Sequence, residues 1–556
     1  MIRFTFDGRD VATTATHSLA AALTQAGVRA FRTTDSAAPR GMFCGMGICQ
    51  ECLVNVDGLP NQRACMIAAR DGMIVETQTA RPSLTAPPDQ ALIAERRAVD
   101  VLVIGGGAAG LNAAIAAREA GAEVLLLDER KVPGGQYFKQ SSDPETVPMD
   151  PQQAQGQTLV QAARAAGTEI LSGVEVWGAF DTGESGPEIM AADATHVYAL
   201  TPRALIVATG AYERPLMIPG WTLPGVMTVG AAQTLWRSYG ALPGKRVAVF
   251  GNGPLNAQVA LELAQGGADV AFLAEAAPGA HKRPRAAARM LRADPALSIK
   301  GLRMLLDLRR RGITLRNATM PVGIESTQDA LKVSYTGPRG EGSLVVDTIC
   351  MNFGFQPQNE ILRLLGAKLH FDPRFAQLRP ERSQTCETSV PGVYAVGDCC
   401  GLGGAPAAAV EGRIAGRAAA GQTAPTKAQI KAQTKTLARH SAFQDALWQL
   451  YEAPLPVLDD LAPDTLVCRC EEVTKATLDA ALADGLTDVG AVKRATRIGM
   501  GRCQGRYCAP ALAGHMASRS ATPPQDLSFF APRVPIKPVS IGTLVAAQSL
   551  IDAPHD

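Results

Sequence analysis

The sequence predicts an α/β protein: two doubly wound dinucleotide-binding modules, with a small α+β domain before them and a helical region after them. Three observations predict it. A strand, a glycine turn, a helix and a second strand run from Val99 and recur from Arg246, the pattern of modules built on parallel sheets. Of the 12 cysteines, four lie between positions 44 and 65 and four between 468 and 508, outside both modules. A chain of 556 residues has room for three or four domains at about 150 residues each.

Composition narrows the class. With 46% apolar and 19% charged residues the chain is neither disordered nor fibrous. The formal charge of +2, with Lys and Arg scattered, offers no basic stripe for nucleic acid. MIRFTFDGRD lacks the apolar h-region of a secretory signal, and the apolar stretch from Val101 to Ala117 contains GGGAAG and is too short for a membrane span. A cytoplasmic protein with no membrane span is expected, and peripheral association with the inner membrane is compatible with that. In a reducing compartment clustered cysteines read as metal ligands rather than disulfides.

Residues 1–80 read as short strands around one helix: Ile2 to Phe6, a DG turn, Val11 to Thr14, then an apolar-periodic segment from Ser18 to Ala26 ending at Gly27. Cys44, Cys49, Cys52 and Cys65 give C-x4-C-x2-C-x12-C, whose first two gaps match the plant-type [2Fe-2S] loop. Gly45 and Gly47 let backbone N–H groups turn toward the inorganic sulfides. LVNVDGLPNQRA, between Cys52 and Cys65, reads as a hairpin that returns the fourth thiolate to the other three. Zinc is the alternative occupant of four thiolates. RPSLTAPPDQ opens a linker assigned to 81–98.

VDVLVIGGGAAGLNAAIAAREAGAEVLLLDE supplies a G-x-G-x-x-G turn. Gly105 makes the turn, Gly107 admits a pyrophosphate to the helix N-terminus beside Ala108 and Ala109, and Gly110 lets helix and strand pack closely. Asp128 or Glu129 is placed to accept from an adenosine ribose. PGGQ follows (Gly134, Gly135, Gln136), then ATG closing a strand (Ala208, Thr209, Gly210), then VPGVYAVGD ending in Gly397 and Asp398. Together these predict an FAD site, with Asp398 approaching the ribityl chain, in a discontinuous domain at 99–241 and 346–425.

The second module, 242–345, repeats the pattern with Gly251 and Gly253, but Asn256 replaces the third glycine. Binding of NAD(P) in the usual pose is thereby unsettled, and another nucleotide stays open. HKRPR, from His281, reads as a solvated basic loop or as a grip for a 2′-phosphate, the former favoured. Nothing after PGGQ supplies a redox cysteine pair, there is no G-x-S-x-G elbow, and the seven histidines are dispersed, so no catalytic residue is assigned.

In 426–520, Cys468, Cys470, Cys503 and Cys508 give C-x-C-x32-C-x4-C, and residues 521–556 read as a Pro-rich tail. The tight first pair resembles the bacterioferritin-associated-ferredoxin type of [2Fe-2S] domain, with zinc again the alternative. With GAYERPLMIPGWTLPGVMTVGAAQ from Gly210 added, nearly the whole chain resembles the large FAD and iron–sulfur subunit of the opine oxidase and hydrogen cyanide synthase family. Sarcosine oxidase and dye-linked proline dehydrogenase α-subunits are more distant likenesses.

The resemblance implies a two-dinucleotide-binding-domain flavoprotein core with an N-terminal β-grasp [2Fe-2S] domain and a C-terminal bacterioferritin-associated-ferredoxin-like [2Fe-2S] domain, one cluster on either side of the core. It further implies a hetero-oligomer in which an amino-acid-oxidase-like flavoprotein subunit takes hydride from a C–N bond. This chain then relays the electrons to a quinone or other respiratory carrier, and an FMN at the partner interface is a further implication. Fusion of the ferredoxin module departs from relatives that carry it as a separate polypeptide. The competing reading is a self-sufficient NAD(P)H-dependent ferredoxin-type reductase.

Overall fold

The computed structural model describes residues 1–83, 91–183, 186–422, 427–520 and 523–551. In the N-terminal domain a mixed five-stranded sheet runs in the order Arg9–Thr13, Ile2–Phe6, Ile74–Thr77, Leu53–Val56, Leu59–Arg63. Phe4 and Phe6 alternate inward to meet the helix Leu19–Gln25, whose Leu19 to Leu23 are all buried. Ser18 caps that helix, its Oγ accepting from the Ala21 amide at 3.2 Å. The expected hairpin is present, turning at Asp57 and Gly58, both at positive φ (50° and 78°) as a tight two-residue connection requires.

The first module's sheet has the order Glu169–Ser172, Val124–Asp128, Ile93–Ile104, His196–Val207, Pro187–Ala192, Glu175–Asp181, with Val393–Ala395 also pairing with His196–Val207. Residues 93–98 belong to its central strand, pairing in parallel with 196–201, so the linker expected at 81–98 stops short of them. Residues 84–90 of that linker lie outside the described residues. The helix Ala108–Glu119 is sandwiched between this sheet and the helix Ala405–Ala419. Gly412 and Gly416 make the helix pair close: a Cβ there would sit 2.1 Å from the Ala109 carbonyl and 2.2 Å from that of Ala113.

The second module's sheet is wholly parallel: Val226–Thr228, Thr348–Asn352, Arg246–Gly251, Asp269–Glu275, Leu315–Asn317. The boundaries expected at 241/242 and 345/346 therefore fall inside it, because flanking strands on both sides add to its edge. The modules are joined by two antiparallel strands, Ala211–Glu213 and Phe355–Pro357. After the helix Lys427–Leu450 come the second cysteine region and the helix Ile541–Ile551, which lies in the stretch expected to be a tail. Its Ala547 and Leu550 are buried against Trp177, Met190, Val197 and Ala199 of the first module's sheet. No helix among the described residues is long and apolar enough to cross a membrane.

Candidate functional site

In the first module the glycine turn is sterically obligatory. Gly105 has φ 108°, and a Cβ there would sit 2.4 Å from the Ala208 carbonyl oxygen; a Cβ on Gly110 would sit 1.8 Å from that of Gly105. Gly107 precedes the helix and is open, with nothing nearer than 3.7 Å to a Cβ at that position. Ala108 and Ala109 form the buried first turn, whose free N–H groups make the helix N-terminus receptive to an anion.

Three further segments converge on this turn. Gly134 N donates to Gly106 O at 2.8 Å, and Gly135 passes so close that its Cβ would lie 2.8 Å from Gly107 Cα. Gln136 is exposed at the rim. Ala208 N donates to Ile104 O at 2.8 Å, which sets Thr209 and Gly210 beside the turn. At Gly397 a Cβ would meet the Ala109 Cβ at 3.0 Å, and the neighbouring Asp398 accepts from the Gly403 and Gly404 amides at 3.2 Å. Burial raises Asp398, against those amide bonds.

Of the two candidate ribose acids, Asp128 faces the turn, accepting from Gly106 N at 2.8 Å and Arg130 N at 2.7 Å. Burial pushes it up to about 6, opposed by those amides. Glu129 instead pairs with Lys537. An open glycine, an unobstructed helix N-terminus and an inward carboxylate together fit an adenine dinucleotide.

In the second module Gly251 abuts the Asn352 carbonyl, and Gly253 has φ 115°. Asn256 is buried, and its amide donates to Gly253 O at 3.1 Å and Asn352 O at 3.3 Å. The side chain thus ties the turn to the neighbouring strand, a role no third glycine could fill. Asn252 Nδ2 donates to Tyr451 O at 2.7 Å, and Trp448 lies over Gly253, so the end of the helix Lys427–Leu450 covers this turn. In HKRPR, Arg283 is no free loop cation: it donates to Gln449 O at 2.6 Å at the end of that helix, while His281 and Lys282 are exposed. A cavity of about 640 Å³ opens between Asn252, Arg214, Phe353, Leu402 and Tyr451, where the modules meet.

The cysteine loop 44–52 packs on the second module, with Thr228 N donating to Phe43 O at 2.9 Å, and on the first, with Arg130 donating to Gly45 O at 3.2 Å. Its three thiols, Cys44, Cys49 and Cys52, are buried, as is that of Cys65. Thiol–thiol interactions pair Cys44 with Cys49 and Cys52 with Cys65. Against burial, Cys49 and the Met46, Cys49 and Ile48 amides bring Cys44 down to about 6.

In the second set, interactions pair Cys468 with Cys508 and Cys470 with Cys503, and Gly501 passes so close that its Cβ would lie 2.3 Å from that of Cys470. Cys508 and the Gly499, Glu471 and Cys470 amides lower Cys468 to about 7 against burial. Among the described residues no group of three or more His, Cys, Asp or Glu is spaced to hold a single metal ion. Two interacting pairs per set match the ligand pattern of a two-iron cluster, in which each iron takes two thiolates.

The sets do not stand on opposite sides of the core. Tyr507, next to Cys508, lies 5.4 Å from the ring of Phe43, next to Cys44, and 6.0 Å from that of Tyr212, two residues past Gly210. Arg469, between Cys468 and Cys470, bonds Glu51 of the first loop at 3.0 Å. Sequence reasoning missed Phe43, Glu51, Arg469 and Tyr507. The only local signal was a charged residue set between ligands in C-R-C and in Q-E-C.

A model of the pyridine nucleotide-disulphide oxidoreductase family matches residues 99–424, and an opine oxidase subunit of Rhizobium meliloti (strain 1021) is 35% identical over 80% of this chain and 97% of its own length. The chain belongs to the family of that opine oxidase subunit, a family of FAD-dependent oxidoreductases. Within this family a hydrogen cyanide synthase subunit of Pseudomonas aeruginosa is 30% identical over 79% of this chain and 96% of its own. Residues 1–80 match a 2Fe-2S iron-sulfur cluster binding domain, and 462–548 match the sarcosine oxidase A3 domain. The latter match reaches into the helix Ile541–Ile551. L-proline dehydrogenase from P. horikoshii shares the fold, with a TM-score of 0.71 at 21% identity over 98% of this chain and 97% of its own.

Proposed function

We propose that this family member is the FAD and [2Fe-2S] electron-transfer subunit of a hetero-oligomeric amino-acid or opine-type dehydrogenase. It accepts electrons from a C–N-oxidising flavoprotein partner and delivers them to a quinone or other respiratory carrier. The observation that carries this reading is the run of side chains from Tyr212, beside the FAD strand, through Tyr507 to Phe43, which touches both cysteine loops.

FAD, when bound, supplies the change from two-electron to one-electron transfer that single-electron iron–sulfur centres require. Gly105, Gly107, Ala108, Ala109 and Gly110 seat its pyrophosphate. Asp128 holds the ribose, Gly134 to Gln136 and Ala208 to Gly210 flank the dinucleotide, and Gly397 and Asp398 meet the ribityl chain. Cys44, Cys49, Cys52 and Cys65 hold one cluster and Cys468, Cys470, Cys503 and Cys508 the other. Seven of these eight cysteines are buried and Cys470 is half-buried, which limits water at both centres, and the Arg130 bond to Gly45 fixes the first loop to the FAD module.

Nicotinamide nucleotides are not the electron source in this reading. The helix end over Gly253 covers the turn such a ligand needs, and Asn256 stands where the usual pose has the third glycine. Anaerobic stopped flow with NADH and NADPH tests this directly. Flavin bleaching is expected to be slow or absent, and rapid stoichiometric bleaching would favour a self-sufficient reductase.

A further inference from the structure

Glu51 and Arg469 each sit among the cysteines of one set, and their side chains meet in a fully enclosed place. Arg469 is 3% exposed and Glu51 0%. Arg469 Nε donates to Glu51 Oε1 at 3.0 Å, and Arg32 Nη2 donates to Glu51 Oε2 at 2.9 Å. Arg40, 3.9 Å from Glu51, donates at 2.9 Å to Glu472, two residues past Cys470, and Thr34 and Ser36 donate to the same oxygen at 2.9 and 2.8 Å. The Arg469 guanidinium also lies over Phe43, 3.6 Å from the ring centre, with Cys49 and Cys470 both within Coulombic reach.

Three donor nitrogens in this junction, Arg32 Nε, Arg40 Nε and Arg469 Nη1, are buried without a hydrogen-bond partner, and the last belongs to the arginine set between two cysteines. An enclosed cationic donor left unpaired destabilises the fold, a cost that vanishes if an acceptor stands there. Sulfur of a cluster is such an acceptor, and N–H donors to sulfur are a principal means of setting cluster potentials. Charge points the same way. Three arginines face two glutamates, whereas each cluster on four thiolates carries a net charge of about −2 oxidised and about −3 reduced.

We infer that the two iron–sulfur centres form one magnetically and electrostatically coupled pair, with Arg469 as the positioning residue whose Nη1–H donates to a cluster sulfur at the junction. The inference rests on the two-centre reading above. Arg469 acts in two ways: it locks the two cysteine loops in register through Glu51, and as the buried cation between two anions it lowers the cost of adding an electron to either. Lysine would keep the charge and lose the planar stacking on Phe43; methionine would lose the charge at similar volume.

The test uses full-length protein purified anaerobically, with iron and acid-labile sulfide counted first. EPR spectra after dithionite reduction, with microwave power saturation and potentiometric titration, are compared among wild type, Cys52→Ala, Cys503→Ala, Arg469→Met and Arg469→Lys. The wild-type spectrum is expected to be broadened or split and faster relaxing than the sum of the two single-centre variants. Arg469→Met is expected to shift both midpoint potentials downward at unchanged iron content, and Arg469→Lys to restore most of that shift. About four iron atoms per chain with an additive wild-type spectrum and unmoved potentials would overturn the pair while leaving two centres standing. About two iron atoms per chain would overturn the two-centre reading and the pair together. If Arg469→Met loses iron, the comparison of wild type with the two cysteine variants alone decides the coupling.

Discussion

Replacing Gly110 with alanine is the sharpest probe of the FAD module. The new Cβ would lie 1.8 Å from the Gly105 carbonyl oxygen, 3.0 Å from its carbon and 3.2 Å from Val103 Cγ1. Carbon and oxygen ordinarily stand about 3.3 Å apart, so the helix Ala108–Glu119 would have to retreat by about 1.5 Å. It cannot retreat freely, because its far side is pressed on Gly412 and Gly416, where even a Cβ has no room. The displacement therefore falls on the turn itself and turns its amides away from the pyrophosphate. Losing one or two charge-assisted bonds of about 2 kcal/mol each weakens FAD binding by about 30- to 1,000-fold. Overpacking costs the fold a further ~1–3 kcal/mol, which thermal denaturation reads separately. The assay is the flavin-to-protein ratio of purified Gly110→Ala with FAD titration of the stripped protein, while iron at the N-terminal domain is counted as a control. Stoichiometric FAD at wild-type affinity would refute this steric account of the turn.

Asp128 is expected to make FAD binding pH-dependent. Burial lifts its carboxyl from 3.8 to about 6, so the flavin-free fold favours the protonated form, and that stabilisation, present at low pH, is lost as pH rises from about 4 to about 6. A ribose donor needs the ionised form, so FAD affinity should rise as pH passes upward through about 6, and Asp128→Asn should flatten the profile measured by fluorescence titration. Cys503→Ala should reduce iron from about four to about two atoms per chain and leave the N-terminal centre's EPR signal, measured after anaerobic purification. Zinc in place of iron at the second set, by elemental analysis, would contradict that expectation.

What is legible in the sequence is local. Gly105, Gly107 and Gly110 can be read because the turn, the ligand approach and the helix packing each act within a few residues. The 44–52 cysteine spacing can be read because a single loop supplies three thiols. The Arg469–Glu51 contact spans 418 positions and cannot be inferred from either loop alone. The second module's edges escape sequence reading because Val226–Thr228 and Thr348–Asn352 are short buried strands whose membership is decided by pairing. The start of the strand Ile93–Ile104 is hidden because its Glu95, Arg96 and Arg97 show no apolar alternation. In the helix Ile541–Ile551 the opposite holds: IGTLVAAQSLI is apolar almost throughout, so no helical stripe stands out. Asn256 stands out in the sequence as a departure from the glycine pattern, but its bridging bonds to Gly253 and Asn352 depend on a strand 96 residues away.

The central claim is that this chain relays electrons rather than oxidising a metabolite alone. It is tested most directly by anaerobic dye reduction with a panel of opines and D- and L-amino acids, using the isolated chain, the co-purified amino-acid-oxidase-like polypeptide, and the two reconstituted together. Substrate-dependent dye reduction is predicted only for the reconstituted pair, with Cys44→Ala or Cys468→Ala slowing dye reduction more than reduction of the partner's flavin. Turnover of an opine or amino acid by the isolated chain at the rate of the complex would contradict the account.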